Sequence, residues 1–419
     1  MWAKLRRFIQ PQHNLVRQPL PHPLDTHRER NVIFNLMNRR RFLFSSSAAL
    51  LSSPSILSAQ KAGRVVIVGA GAAGLTAAYH LRNAGVDVTI LEAGPQWGGR
   101  IARLKGFADF PLDLGGEWIH DDPAVLGQII GRGATDLGVK TIDYRPQTYQ
   151  NYHKGSLRNR NFLRFGYSEV KFHTTTWYGF FEKFVLPKIV DSIKLNTQVS
   201  EIEYSVGGVS VGTKDGRRFE ADQVLITVPV SVLQQSSIRF TPALPKRILF
   251  GLNDVTFGKG FKVFLKFKEK FYPDMLLTGP VTDFLADSWD EKTYYDAAFG
   301  KPTQDNILGL FTVAGGALPR AKLSDDALLV DVLKELDQIY DGKVSGLLEG
   351  ARVQNWSRTP HIRGSYSMEI DADEAPAQFL APVEGKVHFA GEVLGDRAQA
   401  TVHGAAFSGI NAVERILQS

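Results

Sequence analysis

A glycine-rich turn between two apolar runs restricts how this chain can fold. Residues 64–69 form a short apolar run that ends in glycine, and residues 69–74 read G-x-G-x-x-G. Residues 72–84 are rich in alanine and leucine and stop before Gly85, which predicts a helix, and residues 86–91 predict a second strand. Strand, helix and strand in this order predict a βαβ unit with buried parallel strands.

Five residues of this unit predict a dinucleotide site. Gly69 permits the tight turn, Gly71 lets the backbone approach a pyrophosphate, and Gly74 lets helix and strand pack closely. Ala73 lies in the first helical turn, whose free N–H groups attract phosphates. Glu92 ends the second strand, where an acidic side chain can bind the ribose hydroxyls of the adenosine.

The segment after Glu92 distinguishes between dinucleotides. Arg100 follows Gly98 and Gly99, and a guanidinium beside a backbone turn suits a second contact to the pyrophosphate. With this extension, residues 69–100 resemble the first signature of the flavin-containing amine oxidases (monoamine and polyamine oxidases). The same superfamily includes phytoene desaturases and protoporphyrinogen oxidases. NAD-dependent dehydrogenases do not usually carry the extension, so the resemblance implies FAD.

Residues 113–120 resemble the polyamine oxidase stretch D-L-G-A-x-W-I-H. In that family the stretch runs past the flavin ring, and its histidine lines the substrate channel. The resemblance therefore implies a substrate-site role for His120, and it implies cofactor contacts from four residues: Gly115, Gly116, Glu117 and Trp118. Glu117 stands where the family pattern has a small or amide residue.

A lysine-containing strand supplies the first predicted catalytic residue. Residues 261–267 resemble the polyamine oxidase string K-I-F-L-K-F, whose first lysine holds a water against flavin N5. The resemblance gives that role to Lys262. The alternative is an edge strand whose lysines serve solubility, which the further lysines between residues 259 and 270 would suit.

An aromatic residue in the C-terminal part of the chain is the second predicted catalytic residue. Trp356 and residues 364–367 resemble the family segment W-x(n)-G-S-Y-S, whose aromatic residue stands beside the flavin, and Tyr366 takes that place. Ser365 stands where monoamine oxidases have the cysteine that binds flavin covalently. The resemblance therefore implies FAD that is bound non-covalently.

Three further segments resemble cofactor-binding stretches of the family. Val199 lies in the stretch whose backbone holds the adenine. Gly391 and Glu392 belong to a closing A-G-E, whose glutamate bonds the ribityl or pyrophosphate region. Thr401 and Val402 begin a helix whose N–H groups face the flavin C2 carbonyl. Thr401 replaces the second aromatic residue of monoamine oxidases, which moves the resemblance toward polyamine oxidases.

The motifs lie at both ends and in the middle of the chain body, which predicts two interleaved domains. The fold class we expect is α/β (mixed α+β). A Rossmann-type FAD-binding domain comprises residues 62–125, 192–236 and 352–419. A substrate-binding domain comprises residues 126–191 and 237–351 and is built on a mixed sheet with flanking helices. Within it, Ser324 is expected to cap a helix with Asp325 and Asp326 in its first turn.

Charge and composition exclude several function classes. Residues 1–61 hold ten basic and two acidic residues, a net +8, whereas the rest of the chain holds 39 basic and 41 acidic residues, a net −2. A nucleic-acid-binding domain would carry its basic excess on the folded part, so no nucleic-acid partner is expected. The chain has no cysteine, which excludes disulfides and thiolate metal sites, and no metal site is predicted.

The N-terminal segment predicts an export signal. Residues 37–61 combine an Arg-Arg-Arg-Phe-Leu run with a short Ser/Ala/Leu stretch and resemble a twin-arginine signal, cleaved near Ala59. The apolar stretch is shorter than the about 20 residues that a membrane-spanning helix needs. The expected location is the bacterial periplasm, reached through the export machinery, and the alternative is a plastid. Residues 1–36 are expected either to be disordered or to precede a true start at Met37.

The resemblance implies an FAD-dependent amine oxidase that moves a hydride equivalent from the carbon next to nitrogen to flavin N5. Oxygen then accepts the electrons and yields hydrogen peroxide. Acidic residues at 283, 287, 290 and 291 are candidates to bind a polyamine, although an acidic surface loop explains them as well. The alternatives are a desaturase, a flavoprotein without turnover, or an L-amino-acid oxidase with Arg363 or Arg397 as carboxylate clamp. The sequence does not name the amine.

Overall fold

The computed structural model describes residues 63–281, 292–368 and 375–419, with residues 375–377 described as backbone only. The predicted export signal at residues 37–61 lies outside the described residues, and so does the predicted polyamine-binding group Asp283, Asp287, Asp290 and Glu291. Both stay predictions. Within the described ranges, no helix combines the length and the apolar character needed to cross a bilayer.

The described region begins with a strand, a helix and a second strand. In chain order the first strands are β1 (Arg64–Val68), β2 (Asp87–Leu91), β3 (Arg103–Leu104), β4 (Leu112–Asp113), β5 (Trp118–Ile119), β6 (Thr141–Tyr144), β7 (Tyr149–His153), β8 (Ser156–Asn159), β9 (Glu169–Phe172), β10 (Ile193–Lys194), β11 (Val199–Ser205) and β12 (Gly208–Thr213). The others are β13 (Arg218–Ala221), β14 (Gln223–Ile226), β15 (Arg239–Thr241), β16 (Thr256–Phe257), β17 (Gly260–Phe267), β18 (Met275–Thr278), β19 (Lys292–Asp296), β20 (Asn306–Val313), β21 (Leu348–Asn355), β22 (Ser367–Met368) and β23 (Val387–Phe389).

Most of the described helices are short. They are α1 (Ala72–Asn83), α2 (Val125–Ile129), α3 (Trp177–Phe184), α4 (Leu186–Ile189), α5 (Val230–Gln234), α6 (Lys246–Asn253), α7 (Ala314–Ala317), α8 (Asp325–Ile339), α9 (Val344–Leu347), α10 (Ala375–Leu380) and α11 (Val402–Gln418). Short 3₁₀ segments lie at Asn161–Phe165, Val190–Ser192, Glu392–Leu394 and Asp396–Ala398.

A five-stranded parallel sheet carries the predicted βαβ unit. Its order is β10-β2-β1-β14-β23, with β1 paired to β2 on one side and β14 on the other. Alternate residues of β1 enter different cores, because side chains alternate between the faces of a strand. Val65 and Ile67 face α1 and α11, and Val66 and Val68 face the opposite core. Burial on both faces explains the continuous apolar run in the sequence.

The N-terminal and C-terminal helices of the described region pack on one face of this sheet. A Cβ at Gly409 of α11 would lie 2.5 Å from the carbonyl oxygen of Ala73 in α1, so glycine permits this close approach. The first and last cofactor motifs therefore meet in space, although they are separated by most of the chain.

A four-stranded sheet of order β13-β12-β11-β15 differs from the sequence prediction. In the sequence, apolar and polar residues alternate from Ile193 to Val211, and this pattern predicts a turn only afterwards, at residues 212–216. The predicted turn lies at residues 214–216, between β12 and β13. An additional turn at Val206 and Gly207 divides the run into the hairpin strands β11 and β12, in which Gly212 pairs with Glu201. Alternation continues on both arms of this hairpin, so the pattern did not reveal the turn between them.

The third large sheet has seven strands in the order β21-β17-β20-β19-β18-β7-β8 and is mixed, because only β18 and β7 run parallel. Helix α8 packs on it through Leu328, Val332, Leu336 and Ile339. The predicted cap is confirmed, since the Ser324 side chain accepts a hydrogen bond from the N–H of Ala327.

These sheets confirm the predicted mixed α/β fold. The parallel sheet takes its strands from residues 64–91, 193–226 and 387–389, and the seven-stranded sheet takes its strands from residues 149–159 and 260–355. The predicted domain limits remain predictions, and the proposed limit at residue 351 falls within β21.

Candidate active site

The glycine-rich turn after β1 is closely packed at two of its three glycines. Gly69 has φ +107°, which favours glycine, and its Cβ position lies 2.8 Å from the Thr227 hydroxyl. A Cβ at Gly74 would lie 2.1 Å from the carbonyl oxygen of Gly69. These two positions therefore fix the turn against β1 and β14, as the sequence pattern predicts.

Gly71 differs, because no heavy atom lies within 4 Å of its Cβ position. It is the N-cap of α1, and no side chain of the described residues caps this helix start. Open space beside a helix N-terminus with free N–H groups is a site for a phosphate. The turn therefore fits the pyrophosphate of a dinucleotide, and the first turn of α1, with Ala73, would supply the donors.

Glu92 closes the turn from the side of β2. One carboxylate oxygen accepts a hydrogen bond from the N–H of Ala70 at 2.8 Å, and the other accepts from the N–H of Gly94 at 2.7 Å. The side chain thus joins the glycine-rich turn to the segment that leads to Arg100. Its predicted contact with a ribose stays a prediction.

Arg100 and Glu392 form an ion pair that joins three distant segments. The Arg100 guanidinium donates to Glu392 at 3.1 Å and to the carbonyl of Ser365 at 2.7 Å. Glu392 is buried and also accepts a hydrogen bond from the hydroxyl of Ser367 at 2.5 Å. The pair therefore positions the residues that flank Tyr366.

Gly115 and Gly116 lie where only glycine fits. A Cβ at Gly115 would lie 1.7 Å from the carbonyl oxygen of Arg100, and one at Gly116 would lie 2.5 Å from a methyl group of Val402. The Trp356 indole donates to the carbonyl of Leu114 at 2.9 Å. Trp356 is therefore buried against this backbone, and its predicted cofactor contact stays a prediction.

The remaining predicted cofactor residues lie at the ends of secondary structure elements. Val199 is the buried first residue of β11. Gly391 follows β23 with φ +153°, and its N–H donates to the hydroxyl of Ser408 at 2.9 Å. The Thr401 hydroxyl caps α11 by accepting from the N–H of Gly404 at 3.0 Å. The start of α11 at Val402 is thus fixed close to Gly116.

Lys262 lies on β17, between β20 and β21, and its side chain is only 4% exposed. The ammonium group donates to the Glu117 carboxylate at 2.8 Å and to the carbonyl of Asp113 at 3.1 Å. The alternative prediction of a solubilising edge lysine is therefore wrong, because β17 is a central strand and Lys262 is buried. The two predicted motifs around Lys262 and Glu117 meet at this pair.

Tyr295 of β19 completes the contacts of Glu117. Its hydroxyl donates to the same carboxylate oxygen at 2.5 Å. Burial alone would raise the pKa of Glu117, but the charges of Lys262 and Lys171 and these hydrogen bonds hold that pKa below its ordinary value. Glu117 is thus an anion, and its carboxylate is engaged by protein groups.

Two further lysines, the buried Lys171 and the half-buried Lys301, were not found from the sequence. Lys171 on β9 donates to the carbonyl of Ala297 at 3.1 Å, and burial lowers its pKa to about 8. Lys301 donates to the carbonyl of Phe172. Both line a small cavity together with Glu117 and Asp113. Burial and the charge of Glu117 raise the pKa of Asp113 well above its ordinary value.

His120 and Tyr366 are more exposed than the buried residues of this cluster. The His120 ring is 42% exposed, and its Nδ1 lies 3.1 Å from the Glu169 carboxylate. Tyr366 is half-buried, and its carbonyl accepts from the N–H of Gly258 at 2.9 Å. Ser365 beside it is buried and donates to the carbonyl of Gly258. The backbone at Tyr366 is therefore fixed on both sides.

Buried and half-buried aromatic side chains pack beside the cluster. The Trp118 ring lies 5.0 Å from Tyr144 and 5.5 Å from Tyr295, centroid to centroid. The Lys171 ammonium lies 4.8 Å from the Tyr144 ring centre. Such an apolar wall with a few buried polar groups is typical of small-molecule sites. Among the described residues, no group of His, Asp or Glu is arranged to hold a metal.

Neither arginine proposed for an amino-acid clamp lies in the buried cluster. Arg363 is exposed, and its guanidinium donates to the side chain of Gln235. Arg397 is exposed in a 3₁₀ turn before α11.

Comparison with known proteins agrees with this geometry. The model of the family described as flavin containing amine oxidoreductase matches residues 72–172 and 189–417. Polyamine oxidase 1 of Zea mays is 31% identical over 237 residues, which cover 55% of this chain and 46% of the relative. Lysine-specific histone demethylase 1B of Mus musculus is 24% identical, and the match covers 84% of this chain and 52% of the relative. The chain thus spans about half the length of these two relatives.

Polyamine oxidase 6 of Oryza sativa subsp. japonica is similar over most of its length. It is 24% identical, and the match covers 87% of this chain and 92% of the relative. Among solved structures, putrescine oxidase bound to putrescine superimposes with a TM-score of 0.69 at 18% identity, covering 85% of this chain and 99% of that chain. This structural likeness shows the shared fold.

Proposed function

Because this chain belongs to the family of flavin containing amine oxidoreductases, with FAD as its cofactor, we propose that it oxidises an amine to an imine and passes the electrons to oxygen. The overall reaction balances as amine plus O₂ giving imine plus hydrogen peroxide. Bound FAD supplies the two-electron acceptor for this reaction. The buried pair of Lys262 and Glu117, where two family-like motifs converge, is the observation that carries the proposal.

The chain would contribute positions and hydrogen bonds. The open space at Gly71 and the uncapped start of α1 would receive the pyrophosphate, with Arg100 and Glu92 holding the surrounding backbone. The helix start at Val402 would favour negative charge near the flavin ring. Lys262 would present a fixed donor there.

The substrate must reach the site as a neutral amine, since the nitrogen lone pair has to be available. An aromatic, water-poor pocket favours the neutral form, because burial penalises the ammonium ion. Tyr366 would form one wall of this pocket. Relatives named polyamine oxidase and a neighbour named putrescine oxidase favour a polyamine or diamine. Glu169 beside His120 would attract a second, charged nitrogen.

Export to the periplasm by residues 37–61 remains part of the proposal. The twin-arginine route carries folded proteins, which suits an enzyme that takes up its cofactor first. Mass spectrometry of the precursor and of the exported protein tests this. A precursor mass that includes residues 1–36 would contradict a start at Met37, and an exported protein that retains residues 37–61 would contradict cleavage near Ala59.

Peroxide release on addition of amines tests the proposed reaction. The panel comprises spermine, spermidine, their acetylated forms, putrescine, benzylamine, tyramine and L-amino acids. We expect peroxide with at least one amine. We also expect that Lys262→Met lowers turnover about a hundredfold, the usual effect of removing one positioned donor. Lys266→Met is the matched control, because Lys266 lies on the same strand but pairs with Asp305 at 27% exposure.

Two outcomes would contradict the proposal. One is FAD-loaded protein that releases no peroxide with any amine, and the other is peroxide release with L-amino acids alone. If Lys262→Met and Lys266→Met turned over amine at the same rate, Lys262 would have no role in the reaction, although the proposed amine oxidation would stand.

A further inference from the structure

Glu117 and Lys262 form an ion pair that is almost sealed from solvent. Their side chains are 8% and 4% exposed, and the carboxylate lies 2.8 Å from the ammonium. The second donor to the same oxygen is the Tyr295 hydroxyl. The ammonium is further held by the carbonyl of Asp113. The Lys262 ammonium is therefore held by Glu117 and by the backbone of β4, and Tyr295 of β19 holds the Glu117 carboxylate in turn.

The charge balance around Lys262 depends on Glu117. Lys171 and Lys301 line the small cavity together with Glu117 and add positive charge there, and Asp113 is the other carboxyl group of its lining. Asp113 accepts a hydrogen bond from the N–H of Trp177 through its side chain, and it meets Lys262 only through its carbonyl. Among the described residues, Glu117 is the carboxylate that contacts the Lys262 ammonium directly.

We propose that Glu117 is a positioning residue for Lys262, which it holds in place and whose charge it balances. The Lys262–Glu117 pair then presents a hydrogen-bond donor whose own positive charge is balanced. This inference rests on the proposed function, in which Lys262 faces the flavin ring. It also explains why an acidic residue stands at position 117, in a motif where the family has a small or amide residue.

The redox equilibrium of bound FAD depends on how far Glu117 balances the charge of Lys262, so it can be used to measure this balance. An uncompensated ammonium beside the ring stabilises the reduced, anionic form, because nearby opposite charges attract more strongly in a buried site than in water. Glu117→Gln keeps the shape of the side chain and its acceptor oxygen but removes the charge. We therefore expect Glu117→Gln to shift the two-electron equilibrium about tenfold toward reduced FAD, a rise of about 30 mV in midpoint potential.

Four FAD-loaded proteins form the test: wild type, Glu117→Gln, Lys262→Met and the double variant. Midpoint potentials are measured with dithionite and a reference dye, so no amine is needed. In the Lys262→Met background, the additional Glu117→Gln change should raise the potential less than it does in wild type, because the ammonium that Glu117 contacts directly is gone and only the charges of Lys171 and Lys301 remain to be balanced. Asp305→Asn, which breaks the half-buried pair with Lys266 of the same strand β17, should leave the potential unchanged.

The four proteins also report on folding without cofactor. Breaking one side of a buried pair leaves an uncompensated charge, whereas removing both sides leaves none. We therefore expect the unfolding equilibrium of the double variant in cofactor-free protein to lie closer to wild type than that of Glu117→Gln. The double variant also keeps the test available if the single variant folds poorly.

The inference is overturned if Glu117→Gln leaves the potential unchanged, or raises it equally with and without Lys262. It is also overturned if the unfolding equilibrium of the cofactor-free double variant lies no closer to wild type than that of Glu117→Gln. Because dithionite reduces flavin regardless of substrate, these results are separate from the peroxide assay. Coupled potentials in a protein that oxidises no amine would support the pair and contradict the proposed function.

Discussion

Replacing Gly71 by alanine should weaken FAD binding without weakening the fold. The Cβ position at Gly71 has no neighbour within 4 Å, and its backbone angles, φ −81° and ψ −178°, suit any L-residue. A compatible glycine-to-alanine change alters the free energy of unfolding by about 0.4–1 kcal/mol. The added methyl group would occupy the space that we assign to the pyrophosphate, so we expect the FAD dissociation constant to rise at least about tenfold, or about 1.4 kcal/mol.

Gly74→Ala provides the contrast three residues further along. Its Cβ would lie 2.1 Å from the carbonyl oxygen of Gly69, so helix and turn must move apart. Overpacking of this kind costs about 1–3 kcal/mol of folding stability. We therefore expect Gly74→Ala to unfold at a lower urea concentration than wild type even without cofactor.

Urea unfolding of cofactor-free protein and titration with FAD separate the two effects. Gly346→Ala in α9 is the matched control, because its Cβ position is also open, and it should not weaken FAD binding. Wild-type FAD affinity in Gly71→Ala would refute the placement of the pyrophosphate. If Gly71→Ala lost as much stability as Gly74→Ala, the conclusion that a methyl group fits at Gly71 would be refuted.

Two further predictions concern the cofactor linkage and pH. Acid precipitation should release all FAD into the supernatant, because Ser365 replaces the linking cysteine; flavin retained in the pellet would contradict non-covalent binding. Burial and the nearby Arg415 lower the pKa of His388 from 6.5 to about 4. As the pH falls, His388 is therefore protonated in the unfolded chain before it is protonated in the folded chain. The folded state loses stability below about pH 6.5, the pKa of His388 in the unfolded chain. Wild type should lose about 2 kcal/mol from this residue between about pH 7 and pH 5. In urea titrations His388→Leu should lose correspondingly less, and an equal loss would contradict the assignment.

Local patterns predicted the parts of the fold that depend on neighbouring residues. The glycine turn, α1 and β2 follow from a short stretch in which each glycine has a separate steric reason, and Gly74 meets Gly69 only five residues away. The Ser324 cap of α8 is likewise local. The hairpin turn at Val206 was missed because residue alternation is the same on both of its arms.

The buried charged cluster around Glu117 could not be predicted from the sequence, because its contacts join residues that are far apart along the chain. Glu117 was singled out only as an exception in its motif, and its partners Lys262 and Tyr295 lie 145 and 178 residues further along the chain. Lys171 sits between apolar residues of a short strand, where a lysine usually marks an exposed face. Its burial follows from the pairing of β9 with β5 and β6, which the sequence did not predict.

Anaerobic titration of the FAD-loaded protein with amines tests the central claim most directly. In the absence of oxygen, an amine that is a substrate should bleach the visible absorbance of oxidised FAD in proportion to the amine added, and admission of oxygen should restore the colour. If no amine of the panel bleaches the flavin while dithionite still does, the chain binds FAD but does not oxidise amines, and the account of its function is contradicted.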